Sequence, residues 1–345
     1  MSWVEAELRE QPAALERFLA AETANAAEIA RELIGDDVRY LLVASRGSSS
    51  NAARYLQYVF GTANRLPVSF ATPSLYTVYD APPQLGSAAA IAISQSGASP
   101  DVVAVLAEAR RQNRPTLAIT NDPESPLARA ADRVLPLHAG RERAVAATKT
   151  YLSSVAAVAL LSAAALGDKE RLKDLRSIPS ALAAQIDQSL ADAAELAGYR
   201  DAETGSVIAR GVNYGTAFEI ALKIRELSGV PFEAFSSADL LHGPIAAIKP
   251  GRPAIVIAPS GPTLASMQEA VQKVRERGAA VIAISDDRTF LSEAAVAFPL
   301  VRAMPEWLSP FLAVIPGQAA AVRLARARGL NLDSPTGLTK ITLTR

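Results

Sequence analysis

Cysteine is absent from all 345 residues. That excludes disulfides, thiolate metal sites, iron–sulfur clusters and any cysteine nucleophile. Net charge is absent too, because 35 lysines and arginines balance 35 aspartates and glutamates. No basic block is dense enough to track a nucleic-acid backbone, so nucleic acid is not an expected partner. Only two histidines occur, His138 and His242, and neither a metal nor another cofactor is expected. The first residues, MSWVEAELREQP, are charged and contain no apolar signal region. The longest weakly apolar run, residues 152–166, is rich in alanine, interrupted by serines and shorter than the ~20 residues of a membrane span. It reads as a buried helix in a cytoplasmic protein with no membrane partner. Also missing are the GxxxxGK[ST] phosphate loop and the GxGxxG dinucleotide fingerprint.

What is present is a globular chain, 50% hydrophobic, long enough for two domains at roughly 150 residues each. Its organising stretch is AAAIAISQSGASPDVVAVLAEARRQN at residues 88–113. Residues 89–93 form a continuous apolar run of the kind found in a parallel strand covered on both faces. Ser94, Gln95, Ser96, Gly97, Ala98 and Ser99 make a hydroxyl-rich turn, and Pro100 and Asp101 open a helix. The free N–H groups and positive dipole end at a helix N-terminus favour an anion, and serine hydroxyls add donors that suit a phosphate. The alternative is that these serines cap the helix and fill a tight turn.

A second hydroxyl-rich turn, Ser45-Arg46-Gly47-Ser48-Ser49-Ser50-Asn51, follows an apolar strand at residues 40–44 and precedes a helix expected at 52–60. Further strands are expected around Val68 and Phe70 and at residues 116–119, ending in Thr120, Asn121 and Asp122. Residues 3–33 have helical spacing, with a break or restart expected near Pro12. Strands alternating with helices imply an α/β, doubly wound parallel sheet, whose ligands bind beyond the carboxyl ends of the strands, where both serine turns lie. A third polar segment, ERAVAATK at 142–149, leads into the buried helix and brings Thr148 and Lys149. Residues 168–198 read as a helix-prone connector broken at Pro179.

Beyond the connector the pattern repeats. Arg46-Gly47 returns as Arg210-Gly211 and Ser96-Gly97 as Ser260-Gly261, both at an offset of 164 (210 − 46 and 260 − 96), and Ile119-Thr120 returns as Ile284-Ser285. The second copy has lost most of the hydroxyls, so the phosphate site is assigned to the first. The second copy has instead TAFEIALKIREL at 216–227, where Glu219, Lys223 and Glu226 fall at i, i+4 and i+7 on one stripe of an otherwise apolar helix. Either they form a surface pair worth a few tenths of a kcal/mol, or the stripe lines a dry cleft where a carboxylate is a better base. Nearby, His242 sits in LLHGP, and imidazole is the side chain that changes protonation near neutral pH.

Taken together, SQSGAS at 94–99, AVAATK at 144–149, ARGVNYGTAFEIALKIRE at 209–226, LLHGP at 240–244 and GLTK at 337–340 resemble the double sugar-isomerase (SIS) domain proteins. The nearest resemblance is to the isomerase half of glucosamine-6-phosphate synthase and to SIS-type glucosamine-6-phosphate deaminases, and it covers nearly the whole chain. It implies two tandem SIS domains, each a flavodoxin-like parallel sheet between helices. The expected divisions are a helical arm at 1–34, the first domain at 35–167, the connector at 168–198, the second domain at 199–329 and a tail at 330–345. The resemblance places a sugar 6-phosphate on Gly47, Ser48, Ser49, Ser94, Gln95, Ser96 and Ser99, with Val145 in the sugar-contacting segment. It makes Glu226 the carboxylate that moves a proton between C1 and C2, beside Glu219 and Lys223. His242 becomes the ring-opening histidine supplied by the adjacent subunit of a homodimer with shared active sites, and Lys340 the carbonyl-binding lysine.

Two mild departures are SRGSSSN in the first turn and Arg225 where the synthase has lysine. The large one is that the synthase's glutaminase half and its thiol are not in this sequence. The expected reaction is therefore glucosamine 6-phosphate plus water to fructose 6-phosphate and ammonia. Alternatives are another substrate, such as galactosamine 6-phosphate or a deglycated fructosamine 6-phosphate, and a sugar-phosphate sensor without chemistry. The tail at 331–345 is polar enough to be a loosely held terminus with Lys340 exposed. Ile341 and Leu343, alternating with threonines, instead suit a short docked extended segment.

Overall fold

The computed structural model describes residues 1–340. Five strands, β1 (Tyr40–Ser45), β2 (Val68–Phe70), β3 (Ala88–Ile93), β4 (Thr116–Thr120) and β5 (Arg133–Pro136), pair in parallel in the order β2-β1-β3-β4-β5. Five more, β6 (Gly205–Ala209), β7 (Phe232–Ser236), β8 (Pro253–Ile257), β9 (Ala280–Ser285) and β10 (Val296–Pro299), pair in parallel in the order β10-β9-β8-β6-β7. Read from the other edge, the second order is β7-β6-β8-β9-β10, the topology of the first. The halves are thus two copies of one doubly wound α/β fold, with the strand order of flavodoxin-like sheets.

The strands form where the sequence offers short apolar runs. Every residue of β3 (AAAIAI) and of β8 (PAIVI) is buried, as expected of parallel strands that carry helices on both faces. In the first copy the helix Pro100–Arg111 lays Val102, Val105, Leu106 and Ala109 against Leu42, Ala90, Ala92 and Ala118 of the sheet. In the second the helix Leu264–Glu276 lays Met267, Val271 and Val274 against Ile208, Val256 and Ala283.

The chain divides into two compact units. One contains β1–β5 and is made of Glu10–Glu142 and Lys149–Pro179, with Thr339 and Lys340; the other contains β6–β10 and is made of Met1–Arg9, Arg143–Thr148 and Ser180–Leu338.

Three local expectations need correction. No break occurs at Pro12, and Trp3–Leu33 is one helix with the proline inside it. A proline in a helix interior costs about 3 kcal/mol. Val4, Leu8, Leu15 and Phe18 on either side of it are buried, and at ~1.5–3 kcal/mol for each buried side chain their contribution outweighs that cost. The helix after β1 begins at Gly47 rather than at residue 52, so Ser48, Ser49 and Ser50 form its first turn. Short hydroxyl side chains are well suited to the start of a helix. The connector breaks at Ser177, between the helices Lys169–Arg176 and Ile178–Asp192, and Pro179 takes a first-turn position where its missing N–H costs nothing. The extended segment expected around Ile341 and Leu343 lies outside the described residues.

Among the described residues two stretches, Lys149–Leu166 and Glu306–Ala327, are long and apolar enough to cross a membrane, but their apolar residues lie mostly buried within the protein. They are core helices. Gly317 shows why one of them sits so close to its neighbour, since a Cβ there would run into Ile220 of the helix Tyr214–Ser228.

Candidate functional site

In the first copy the order β2-β1-β3 reverses direction at β1, and the crevice between β1 and β3 is where doubly wound sheets bind ligands. Both serine turns stand at that place, one after β1 and one after β3. Gly47 and Gly97 take left-handed φ values of 52° and 59°, which lets each turn reverse sharply without a Cβ penalty. A Cβ at Gly97 would also collide with Ser125 Oγ, and Ser125 caps the helix Pro126–Ala130 by accepting from the Ala128 N–H. The turn is braced from within: Ser94 Oγ accepts from the Gly97 N–H at 3.2 Å, Ser96 Oγ accepts from the Ala98 N–H at 3.3 Å, and the Gln95 carbonyl accepts from the Asn121 N–H at 3.1 Å. Ser99 is the N-cap residue of the helix Pro100–Arg111, yet its hydroxyl makes no capping bond. Capping therefore does not account for Ser99. The two turns are tied by Arg46, which donates to the buried carboxylate of Asp101 through Nε at 2.8 Å and Nη2 at 2.6 Å.

The second copy repeats the backbone and not the chemistry. Gly211 and Gly261 again have positive φ, at 63° and 150°. Here the protein's own Glu306 occupies the space between the turns: a Cβ at Gly261 would lie 3.0 Å from Glu306 Cβ, and one at Gly211 would lie 3.9 Å from Glu306 Oε1. Thr263 Oγ1 donates to that Oε1 at 2.6 Å, and the Ser260 N–H donates to Asp286 Oδ1 at 2.6 Å. Carboxylates of the chain itself thus fill positions that the first copy leaves lined with hydroxyls.

In the unit containing β6–β10, the helix Tyr214–Ser228 brings Glu219, Lys223 and Glu226 together as the i, i+4, i+7 spacing requires. Lys223 Nζ lies 3.5 Å from Glu219 Oε1 and hydrogen-bonds Glu226 Oε2. Glu219 and Lys223 are fully buried, whereas the Glu226 side chain is 23% exposed. Formally the cluster holds one surplus negative charge, and Glu226 is the member that meets the outside. It lines a cavity of about 510 Å³ together with Leu222, Arg225, Asn331, Ser334 and Thr336.

His242 ends the short helix Ser237–Leu241 on an exposed turn, followed by Gly243 at φ 132°. None of its described contacts is with the charged helix. Val145 is half-buried in the segment Arg143–Thr148, where the Arg143 and Ala144 N–H groups donate to the buried Glu7 carboxylate.

Lys340 belongs to the other unit. Its Nζ donates to Glu142 Oε2 at 2.7 Å, and its side chain is 23% exposed while that of Glu142 is fully enclosed. Glu142 also accepts from the Thr150 N–H at 3.1 Å and from Thr150 Oγ1 at 2.7 Å. Burial pushes the Glu142 carboxyl upward, but the Lys340 charge and the hydrogen bonds from Lys340 and Thr150 outweigh it and hold the group below the usual 4.5. Lys340 is therefore not loosely held.

The SIS domain pattern matches residues 36–164 and again residues 198–327. The chain belongs to the SIS domain family. It is 33% identical over 97% of its length to the glutamine--fructose-6-phosphate aminotransferase [isomerizing] of Thermus thermophilus, and spans 57% of that relative. In three dimensions it matches a protein of Silicibacter pomeroyi DSS-3, provisionally called a phosphosugar isomerase, at 30% identity and a TM-score of 0.86, covering 96% of this chain and 99% of the other. It also shares its fold, at 22% identity and a TM-score of 0.81, with the glucosamine-6-phosphate deaminase of Thermotoga maritima, covering 99% and 100% of the two chains.

Within the SIS frame some participants were not legible beforehand. Sequence reasoning did not single out Arg46 and Asp101 as a brace, Ser125 behind Gly97, Glu306 in the second copy or Glu142 beneath Lys340. Asp101 reads in the sequence only as a helix-start residue, whereas in the fold its buried carboxylate meets Arg46, 55 positions away. Glu142 did open the polar segment before the buried helix, but its partner is 198 positions along.

Proposed function

We propose that this chain isomerises and deaminates an amino-sugar 6-phosphate, converting glucosamine 6-phosphate and water to fructose 6-phosphate and ammonia. The observation that carries the reading is the cluster of Glu219, Lys223 and Glu226, two of them buried and the third, Glu226, on the wall of a cavity. A sensor that only binds a sugar phosphate has no use for a desolvated carboxylate held by a buried lysine. The T. thermophilus relative bears the name of a fructose-6-phosphate aminotransferase, and the 345 residues contain no thiol that could release ammonia from glutamine. In the proposed reaction nitrogen leaves as free ammonia.

In the open-chain aldose, Glu226 takes the C2 proton while the C1 carbonyl oxygen gains one, giving an enolamine. Returning the proton to C1 produces a C2 iminium, and water adds there and expels ammonia, leaving the ketose. The phosphate is held by Gly47, Ser48, Ser49, Ser94, Gln95, Ser96 and Ser99, with Val145 against the sugar. His242 serves ring opening from the neighbouring copy of a homodimer, a role that suits its exposed turn. Lys340 holds the carbonyl end. The test is ammonia release from glucosamine 6-phosphate, galactosamine 6-phosphate, fructosamine 6-phosphate and unphosphorylated glucosamine. Release from glucosamine 6-phosphate alone supports the reading, release from another phosphate reassigns the substrate, and release from none removes the enzyme assignment.

A further inference from the structure

The Glu142 carboxylate is enclosed, yet the proton-transfer chemistry above does not use it. It stands between two pieces of chain. On one side it accepts from the N–H and hydroxyl of Thr150, the second residue of the core helix Lys149–Leu166, where the N-terminal end of the helix favours a negative charge. On the other it receives the Lys340 ammonium at 2.7 Å. Lysine carries its charge on a long, freely rotating stem, and Lys340 lies well beyond the last helix among the described residues, which ends at Ala327. A lysine so placed acts at one point in space only if something rigid fixes it. Glu142 is rigid because its carboxylate is bonded to the start of a buried helix.

We propose that Glu142 is the positioning residue for Lys340, docking the C-terminal segment and fixing the amine for the carbonyl end of the substrate. The docking does not depend on the reaction, whereas its catalytic consequence rests on the function proposed above. The buried carboxylate that receives the Lys340 ammonium also explains why the segment preceding the core helix carries glutamate at 142, since an uncharged residue there would take that anchor from the amine.

Two independent measurements test this. The first needs no substrate: acetylation of Lys340 by an N-hydroxysuccinimide ester, followed by peptide mass spectrometry, with the 78%-exposed Lys173 as internal reference. Loss of a hydrogen bond to a charged partner should raise the Lys340 rate about 10-fold or more in Glu142→Gln and leave Lys173 unchanged. An unchanged Lys340 rate overturns the proposal, whatever the enzyme turns over. The second is kinetic. Glu142→Gln and Lys340→Ala should each lower kcat for ammonia release with little change in KM, and the double variant should be no worse than either, because paired residues act non-additively. Multiplicative losses would overturn it. If Glu142→Gln does not fold, Lys340→Met serves in its place: it strands a buried carboxylate and should lower Tm. A Tm equal to wild type would count against the pairing.

Discussion

Lys223 is an ammonium enclosed by protein, and an ion in that position is tolerated only when carboxylates meet it. Glu219 and Glu226 do so from the same helix. Removing the cation strands two carboxylates, one of them fully buried, so Lys223→Ala should destabilise the protein by about 3–5 kcal/mol, the range for breaking a buried pair from one side. Glu226→Gln keeps the shape and one hydrogen bond to Lys223, so the expected damage is to chemistry. Turnover should fall roughly 10²- to 10⁴-fold, with fructose 6-phosphate binding intact and solvent-deuterium exchange at C1 or C2 stopped. Exchange at the wild-type rate would move the proton shuttle elsewhere. Glu142 gives the pH dependence at this scale. Its folded pKa lies below its ordinary value of 4.5, so its contribution to stability is present above that value and is lost as pH falls through the lower folded value. Wild-type Tm should therefore drop more steeply in acid than that of Glu142→Gln, and parallel curves would show that the pair contributes nothing.

At the scale of elements, the two copies share strand order and left-handed glycines and differ in what stands between their turns. The first offers hydroxyls and helix-start N–H groups, whereas the second already holds Glu306 on Thr263 and Asp286 on the Ser260 N–H. One phosphorylated sugar should thus bind per chain, measured as a calorimetric stoichiometry of one. Ser96→Ala should weaken that binding by about 1.5–3 kcal/mol, the cost of one hydrogen bond to a charged group. The repeat itself was legible in the sequence, because each unit is a short apolar run, a glycine and a helix at a constant offset. The charged stripe was legible too, since helical spacing alone puts Glu219, Lys223 and Glu226 on one face. What spacing could not reveal were the partners brought in by the fold: Asp101 for Arg46, Ser125 for Gly97 and Glu142 for Lys340. Pro12 misled for a related reason, because a local rule about proline says nothing of the buried side chains that hold the helix together.

At the scale of the whole molecule, the C-terminal stretch does two separable things. Leu330, Asn331, Ser334, Pro335, Thr336 and Leu338 line the cavity that Glu226 faces, Leu332 is buried, and Asp333 accepts from the Trp3 N–H at 2.6 Å. Lys340, a few residues on, pairs with Glu142. A chain ending before Asn331 loses both the wall and the lysine, whereas one ending at Leu338 keeps the wall and gives up only residues 339–345, the lysine among them. Both should retain the two SIS copies, because among the described residues the strands and core helices end at Ala327, and far-UV circular dichroism should stay close to wild type. Neither should release ammonia from glucosamine 6-phosphate. They should differ in stability, with the shorter chain melting lower because it also gives up the buried Leu332 and the bond to Trp3, a side chain's burial being worth ~1.5–3 kcal/mol. Borohydride reduction in the presence of fructose 6-phosphate completes the comparison, since a covalent label on Lys340 in the full chain would mark a Schiff base. No label, with activity lost in Lys340→Ala, would leave the amine an electrostatic part in holding the carbonyl oxygen. Full activity in the chain ending at Leu338 would take Lys340 out of the mechanism and return Glu142 to a purely structural duty at the start of its helix.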